Sequence, residues 1–166
     1  MKQKTKGFSL MEVIIAMAVI VTALITLIAL ISSVVSGLKP AEFKLTATNL
    51  AQEGLEIVRN IRDSNWLSYK RAPENWRDGL AAGDYRVQYD QSALLFWADS
   101  FLKIDNNGFY QYDSGSNTPI RRKITIGHIG NNQIKVVSEV TWQDKGKSYT
   151  VEAESRLYNW LEVIEE

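Results

Sequence analysis

From Phe8 to Ile31 the chain runs 24 residues with one charged side chain, Glu12. As a helix rising 1.5 Å per residue, that stretch spans about 36 Å, and the hydrocarbon core of a bilayer is about 30 Å thick. It therefore reads as a single membrane pass. Lys2, Lys4 and Lys6 stand before it, and a basic flank holds its end of a pass in the cytoplasm. The chain beyond Ile31 is then expected outside. Glu12 is the anomaly. A carboxylate at the bilayer centre costs roughly 2.5–3.5 kcal/mol, so a chain that keeps one in such a run has a use for it.

Length and charge narrow the class of protein. The 166 residues suffice for one domain plus an appendage. Basic and acidic residues number 19 each. Without the three N-terminal lysines, 16 basic residues face 19 acidic ones, a net charge of −3. A mildly acidic body argues against nucleic acid as a partner, which calls for a clustered basic surface. There is no cysteine, hence no disulfide, no thiolate nucleophile and no cysteine-ligated metal.

Three readings of the N-terminus compete. A secretory signal peptide has an apolar core of about 7–15 residues and a small-residue cleavage site after it. The run to Ile31 is too long, and Ile31-Ser32-Ser33-Val34-Val35-Ser36 is a poor site. A plain anchor fits the length. It leaves unexplained Gly7, at the junction of the basic leader and the apolar run, and Glu12 five residues beyond. These two residues, with Phe8 and Ser9-Leu10, resemble the N-terminus of the type IV prepilin family, which includes the pseudopilins of type II secretion and competence systems.

The resemblance carries a set of expectations. A prepilin peptidase cleaves between Gly7 and Phe8 on the cytoplasmic side, and the same enzyme N-methylates the new Phe8 amine. The apolar run stays in the mature protein. Glu12 is the register charge that neutralises the Phe8 amine of a neighbouring subunit in a filament. Physical chemistry suits that role. A carboxylate in the first turn of a helix meets the positive end of its macrodipole. A charge pair held out of water stays in register, because separating it strands both charges. The implied partners are the prepilin peptidase, other pilins or pseudopilins, an assembly platform and the lipid bilayer. The implied location is the bacterial inner (cytoplasmic) membrane as a single-pass protein, then a pilus or pseudopilus.

A weaker likeness extends further. Ala47-Thr48-Asn49-Leu50-Ala51-Gln52-Glu53-Gly54-Leu55-Glu56 is similar to a segment of minor pilins of the PilV type and of I-type minor pseudopilins. Two departures count against a major-pilin role. The chain lacks the C-terminal cysteine loop of many major pilins, and Phe8–Ile31 lacks the proline many of them carry.

Beyond the apolar run, Gly37 and Pro40 predict a kink or loosening, because proline removes a donor and clashes with the preceding turn. A helical pattern then resumes. Leu50, Gly54, Val58 and Ile61 share one side, and Leu45 and Leu55 keep to the same three- and four-residue steps. Glu42, Lys44, Gln52, Glu53, Glu56, Arg59, Arg62 and Asp63 take the other side, with Glu56/Arg59 and Arg59/Asp63 spaced to pair. The expected organisation is a leader over 1–7, a transmembrane helix over 8–31, its amphipathic continuation over 32–64 and a β-rich head over 65–166.

In the head, 65–83 reads as loop. Tyr85, Val87 and Tyr89 then alternate as in a half-buried strand. Leu94–Leu102 fits helix or strand. Phe101–Ile104 and Phe109–Tyr112 flank Asp105-Asn106-Asn107-Gly108 as a hairpin. Asp113–Pro119 is a polar loop and Ile120–Ile129 a strand. Gln133–Gln143 and Ser148–Leu157 form the clearest hairpin, around Asp144-Lys145-Gly146-Lys147. The fold class is α+β: a long N-terminal helix laid on a C-terminal antiparallel sheet, which is also the architecture the prepilin resemblance implies.

No catalytic constellation emerges, and the chain is not expected to be an enzyme. His128 is the only histidine, which excludes a triad with cysteine and leaves no zinc set. Asp105–Gly108 lacks the alternating ligand spacing of a calcium loop. No metal and no cofactor is expected. Arg121 and Lys123 fall on one face of a strand, a solvated face in the usual case. Trp66, Trp76, Trp97, Trp142 and Trp160 suit core and edge packing better than a sugar platform. The expected function is a structural one, a minor type IV pilin or pseudopilin. The alternative is an adhesive or DNA-uptake head on the same scaffold, the one setting in which nucleic acid enters.

Overall fold

A computed structural model describes residue 7, residues 9–68 and residues 75–160. Lys2, Lys4, Lys6 and Phe8 lie outside the described residues, as does the acidic end after Trp160. The first element is one α-helix, α1 (Leu10–Ser68), of 59 residues. The Ser9 carbonyl starts it, accepting the N–H groups of Glu12 at 3.0 Å and Val13 at 3.2 Å. Pro40 lies inside α1. The helix continues through Gly37 and Pro40 without interruption. Proline removes one donor, so only the Ser36 carbonyl loses its usual partner while the flanking ladder continues. The helix also outlasts the expected end near Ser64, because Trp66 is still buried against the head.

The chain divides into two compact units, Met1–Glu42 and Phe43–Glu166. In the first, every described side chain from Ser9 to Leu38 is exposed. The second unit is the head. Its strands are β1 (Gly83–Arg86), β2 (Leu95–Phe96), β3 (Lys103–Ile104), β4 (Tyr110–Gln111), β5 (Ser116–Asn117), β6 (Ile120–Ile129), β7 (Gln133–Asp144) and β8 (Lys147–Tyr158). Five form an antiparallel sheet in the order β2-β1-β6-β7-β8, and three form a small sheet in the order β4-β3-β5. The residues of α1 from Phe43 onward lie on the large sheet, so the head is α+β.

Period-two alternation decides which side of the sheet is dry. Ile120, Arg122, Ile124 and Ile126 of β6 and Ile134, Val136, Ser138, Val140 and Trp142 of β7 are buried, and the residues between them are not. From α1 the buried set is Ala47, Leu50, Ala51, Gly54, Ile57, Val58, Ile61, Arg62 and Trp66. Leu45 is exposed instead. Arg62, expected on the wet side, is buried. Its guanidinium lies 4.7 Å from the centre of the Trp66 ring and 2.8 Å from the Asp63 carboxylate, so Asp63 pairs with Arg62 and not with Arg59. Arg59 pairs with Glu56 as the spacing suggested.

Other differences are local. The two-residue turn Lys145–Gly146, both at positive φ, closes on the pair Asp144–Lys147, so the main hairpin is tighter than a four-residue loop. Ser116–Asn117, read as loop, forms β5 because β3 offers it a free edge. Of Leu94–Leu102, only Leu95–Phe96 is strand, where β1 pairs with it.

Gly54 is where α1 comes closest to the sheet. A Cβ there meets Ser138 Oγ at 2.6 Å and Ile124 Cδ1 at 2.7 Å. Both atoms are ends of rotatable side chains, and alanine gains about 1 kcal/mol of helix propensity over glycine. Gly54→Ala is therefore expected to stay within about 1 kcal/mol of the parent. Gly54→Leu has no such escape and is expected to destabilise the head by about 1–3 kcal/mol. Urea unfolding in detergent, monitored by tryptophan fluorescence, measures both; a silent leucine variant contradicts the close approach.

Candidate functional site: an apolar helix with one carboxylate

Between Ser9 and Leu38 the only ionisable side chain is Glu12, and it lies in the first turn of α1. The apolar side chains around it face outward. Leu10 is 78% exposed and Ile28 63%, with nothing in the first unit to cover them. Among the described residues α1 is the one helix long and apolar enough to cross a membrane, with a mean hydropathy of 3.0 in its best window. Three hydroxyls in the run, those of Thr22, Thr26 and Ser36, bond back onto their own helix. The Thr22 hydroxyl donates to the carbonyls of Ala18 and Val19 at 2.9 Å, and the Thr26 hydroxyl to those of Thr22 and Ala23. Such bonding hides a hydroxyl from a medium that offers no partner. The position of Glu12 has a local rationale: Ser9 and Glu12 have the spacing of a capping box, in which the acid reaches back to the N-cap N–H.

Gly7 behaves differently from Gly54. It is exposed, and a Cβ built on it meets nothing within 4 Å. Neither packing nor a positive φ demands glycine there. Of the residues expected to carry the processing site, Gly7 is thus described and open, whereas Phe8 lies outside the described residues.

In the head, His128 and Asp105 hold backbone groups at a strand end and a turn. His128 is exposed near the end of β6, and its Nε2 donates to the Leu80 carbonyl at 2.9 Å. The Asp105 carboxylate accepts the N–H groups of Asn107 at 2.8 Å and Phe109 at 2.9 Å, which ties up the turn between β3 and β4. Among the described residues no group of three or more His, Cys, Asp or Glu could hold a metal ion. Trp66, Trp76 and Trp142 are buried, and Trp160 packs edge-on to Trp66 at 4.7 Å.

One polar centre is less obvious from sequence. Arg122 is wholly buried. Its Nη1 donates to the Leu50 carbonyl at 3.0 Å and Glu53 Oε1 at 2.9 Å, and its Nη2 to the Val87 carbonyl at 2.5 Å. The Tyr112 hydroxyl donates to the Arg122 carbonyl at 3.2 Å. The signal was legible only in part: the alternation of Ile120, Arg122, Ile124 and Ile126 turns Arg122 inward, but nothing local names its acceptors. Burial raises the Tyr112 pKa above 10.0, and the Arg122 charge opposes that only partly. This centre joins α1 to the sheet and carries no nucleophile–base pair.

Comparison with protein-family models, with curated proteins and with solved structures finds no match for this chain.

The polar centre has two measurable consequences. Arg122→Ala leaves the Glu53 carboxylate unpaired and takes a donor from each of the Leu50 and Val87 carbonyls, and is expected to cost about 3–5 kcal/mol. Glu53→Gln, at a half-exposed position, is expected to cost much less. Equal losses in urea unfolding contradict the asymmetry. A raised Tyr112 pKa means that the folded state holds the proton more tightly. Its contribution is full below pH 10 and is lost as pH rises above it. The unfolding midpoint should fall with pH from about 10 upward, and the fall should shrink in Tyr112→Phe.

Proposed function

We propose that this chain is a prepilin-like subunit: a minor type IV pilin or pseudopilin, held in a bacterial cytoplasmic membrane by the first part of α1 and then assembled into a pilus or a secretion or competence pseudopilus. The observation that carries the reading is the pairing of Gly7, where the fold makes no demand for glycine, with Glu12, the lone charge of an exposed apolar helix. A residue kept for no reason of packing is consistent with recognition by something outside the fold, and a peptidase acting between Gly7 and Phe8 supplies it. On this reading the enzyme leaves Phe8 as a methylated N-terminus. Glu12 then meets that amine on a neighbouring subunit as the apolar helices gather.

The α+β head on the latter part of α1 supports the same reading, since a long helix covered by a small antiparallel sheet presents a protein surface while its first part stays free to pack. The head's role is structural, with no catalytic step. The partners on this reading are the prepilin peptidase, other pilins or pseudopilins, an assembly platform and the bilayer.

Intact mass of the membrane form, expressed with a prepilin peptidase, tests the processing step. The expected chain starts at a methylated Phe8; a chain still starting at Met1 sinks the proposal. Gly7→Leu is expected to block that cleavage and to leave the head's unfolding midpoint unchanged, because position 7 is open. Glu12→Gln separates charge from capping. Glutamine serves a capping box as well as glutamate, so cleavage and helix content persist, whereas assembly, read by cross-linking of subunits in the membrane, should be lost. Full assembly of Glu12→Gln rules out a register charge.

A further inference from the structure

Strand β8 ends the large sheet, and no strand among the described residues pairs with its far side. It is 12 residues long and pairs with β7 at every position, without bulge or proline. The direction of its backbone groups is set by the turn. Asp144–Lys147 closes a two-residue hairpin and is a hydrogen-bonded pair, so odd-numbered residues of β8 bond to β7. The Asn159 N–H on the Asn132 carbonyl at 3.0 Å continues the same alternation. Ser148, Thr150, Glu152, Glu154 and Arg156 therefore turn their N–H and C=O groups away from the sheet. An edge is usually guarded by proline, a bulge or a charge pointing into the covered face. Here the covered-face residues are Tyr149, Val151, Ala153, Ser155 and Leu157, none charged.

The charges on the other face are out of balance in a specific way. Glu139 stands directly opposite Glu152, and Lys123 at 3.3 Å neutralises only Glu139. Lys135 stands directly opposite Arg156, and the single carboxylate of Glu154 serves both, at 2.9 and 3.5 Å. Those two cations hold the Glu154 carboxyl below its usual pKa, Lys135 foremost. The edge is left with an uncompensated negative charge at Glu152 and a surplus positive charge at Arg156.

We propose that β8 is a docking edge for an extended segment of another protein, added antiparallel as a sixth strand. In chain order that segment carries an acid opposite Arg156, a neutral residue opposite Glu154 and a base opposite Glu152, with uncharged residues between. Main-chain bonds supply the affinity in this mode and the side chains the selectivity. A second copy of β8 fits less well. The antiparallel register that sets Glu152 against Arg156 of the other copy also sets Glu154 against Glu154. The inference rests on the head alone and stands apart from the processing of the N-terminus.

The test uses the full chain in detergent and two dye-labelled nine-residue peptides. One carries acid, threonine and lysine at alternate positions in the stated order, with valine or threonine between. The other has acid and lysine exchanged. Fluorescence anisotropy should show the first binding about tenfold more tightly than the second. Glu152→Lys with Arg156→Glu should reverse the preference. Thr150→Pro removes an outward N–H that the fold does not use, and it should abolish binding of both peptides while the unfolding midpoint holds. Equal binding of the two peptides, binding that survives Thr150→Pro, or no binding up to millimolar peptide overturns the proposal. So does self-association of the parent that Thr150→Pro removes, since the occupant is then a second copy.

Discussion

The close approach of α1 to the sheet at Gly54 sets the geometry of the head. With no side chain at that position, the helix comes within reach of the Arg122 guanidinium on β6, which takes the Leu50 carbonyl, the Glu53 carboxylate and the Val87 carbonyl together. The apolar clusters lie to either side. One gathers Val58, Ile61, Trp76, Ile124 and Val136; the other gathers Ala47, Leu50, Ile120, Val140 and Trp142. Arg122 and Ser138 form a polar layer between them. Three of the five N–H groups of this buried cation are bonded and one acceptor is a carboxylate, which offsets much of the cost of burial, and the same bonds fix how far along the sheet the helix can sit.

The apolar side chains of α1 meet two different fates within one helix. From Phe43 onward the apolar stripe is narrow and is covered by β6 and β7. Before Leu38 the apolar surface goes all round the helix and stays bare. A helix apolar on every side is stable in lipid or against other helices and is a liability in water. The Thr22 and Thr26 hydroxyls, turned back onto their own helix, belong to the same solution. Glu12 is the one ionisable side chain in this apolar stretch, and it lies in the first turn of α1.

Much of the head was readable from alternation, because a strand with one dry face writes its burial at every second residue. Ile120–Ile129 and the arms of the main hairpin fall where that pattern puts them. Short strands escaped it. Ser116–Asn117 has no apolar signal and is a strand only because β3 presents it with an edge; Leu95–Phe96 depends in the same way on β1. On α1, Arg62 looked solvated from its charge, but Trp66 one turn later covers it. The site residues divide likewise. Gly7 and Glu12 stand out in the sequence as departures from their surroundings. Arg122 does not, because its partners lie 35 to 72 positions away.

By itself the sequence determined the long apolar run with its single carboxylate, the amphipathic continuation, the antiparallel arms and hence the α+β class. Each is written in local periodicity, which reflects the 3.6-residue and two-residue repeats of the backbone. Only the tertiary structure decided that Gly54 serves contact and Gly7 does not, that Arg122 bridges helix and sheet, and that β8 stands at an edge with Glu152 and Arg156 unbalanced. These depend on which segments meet, and that is settled by pairing and packing across the whole head rather than by neighbours in the chain.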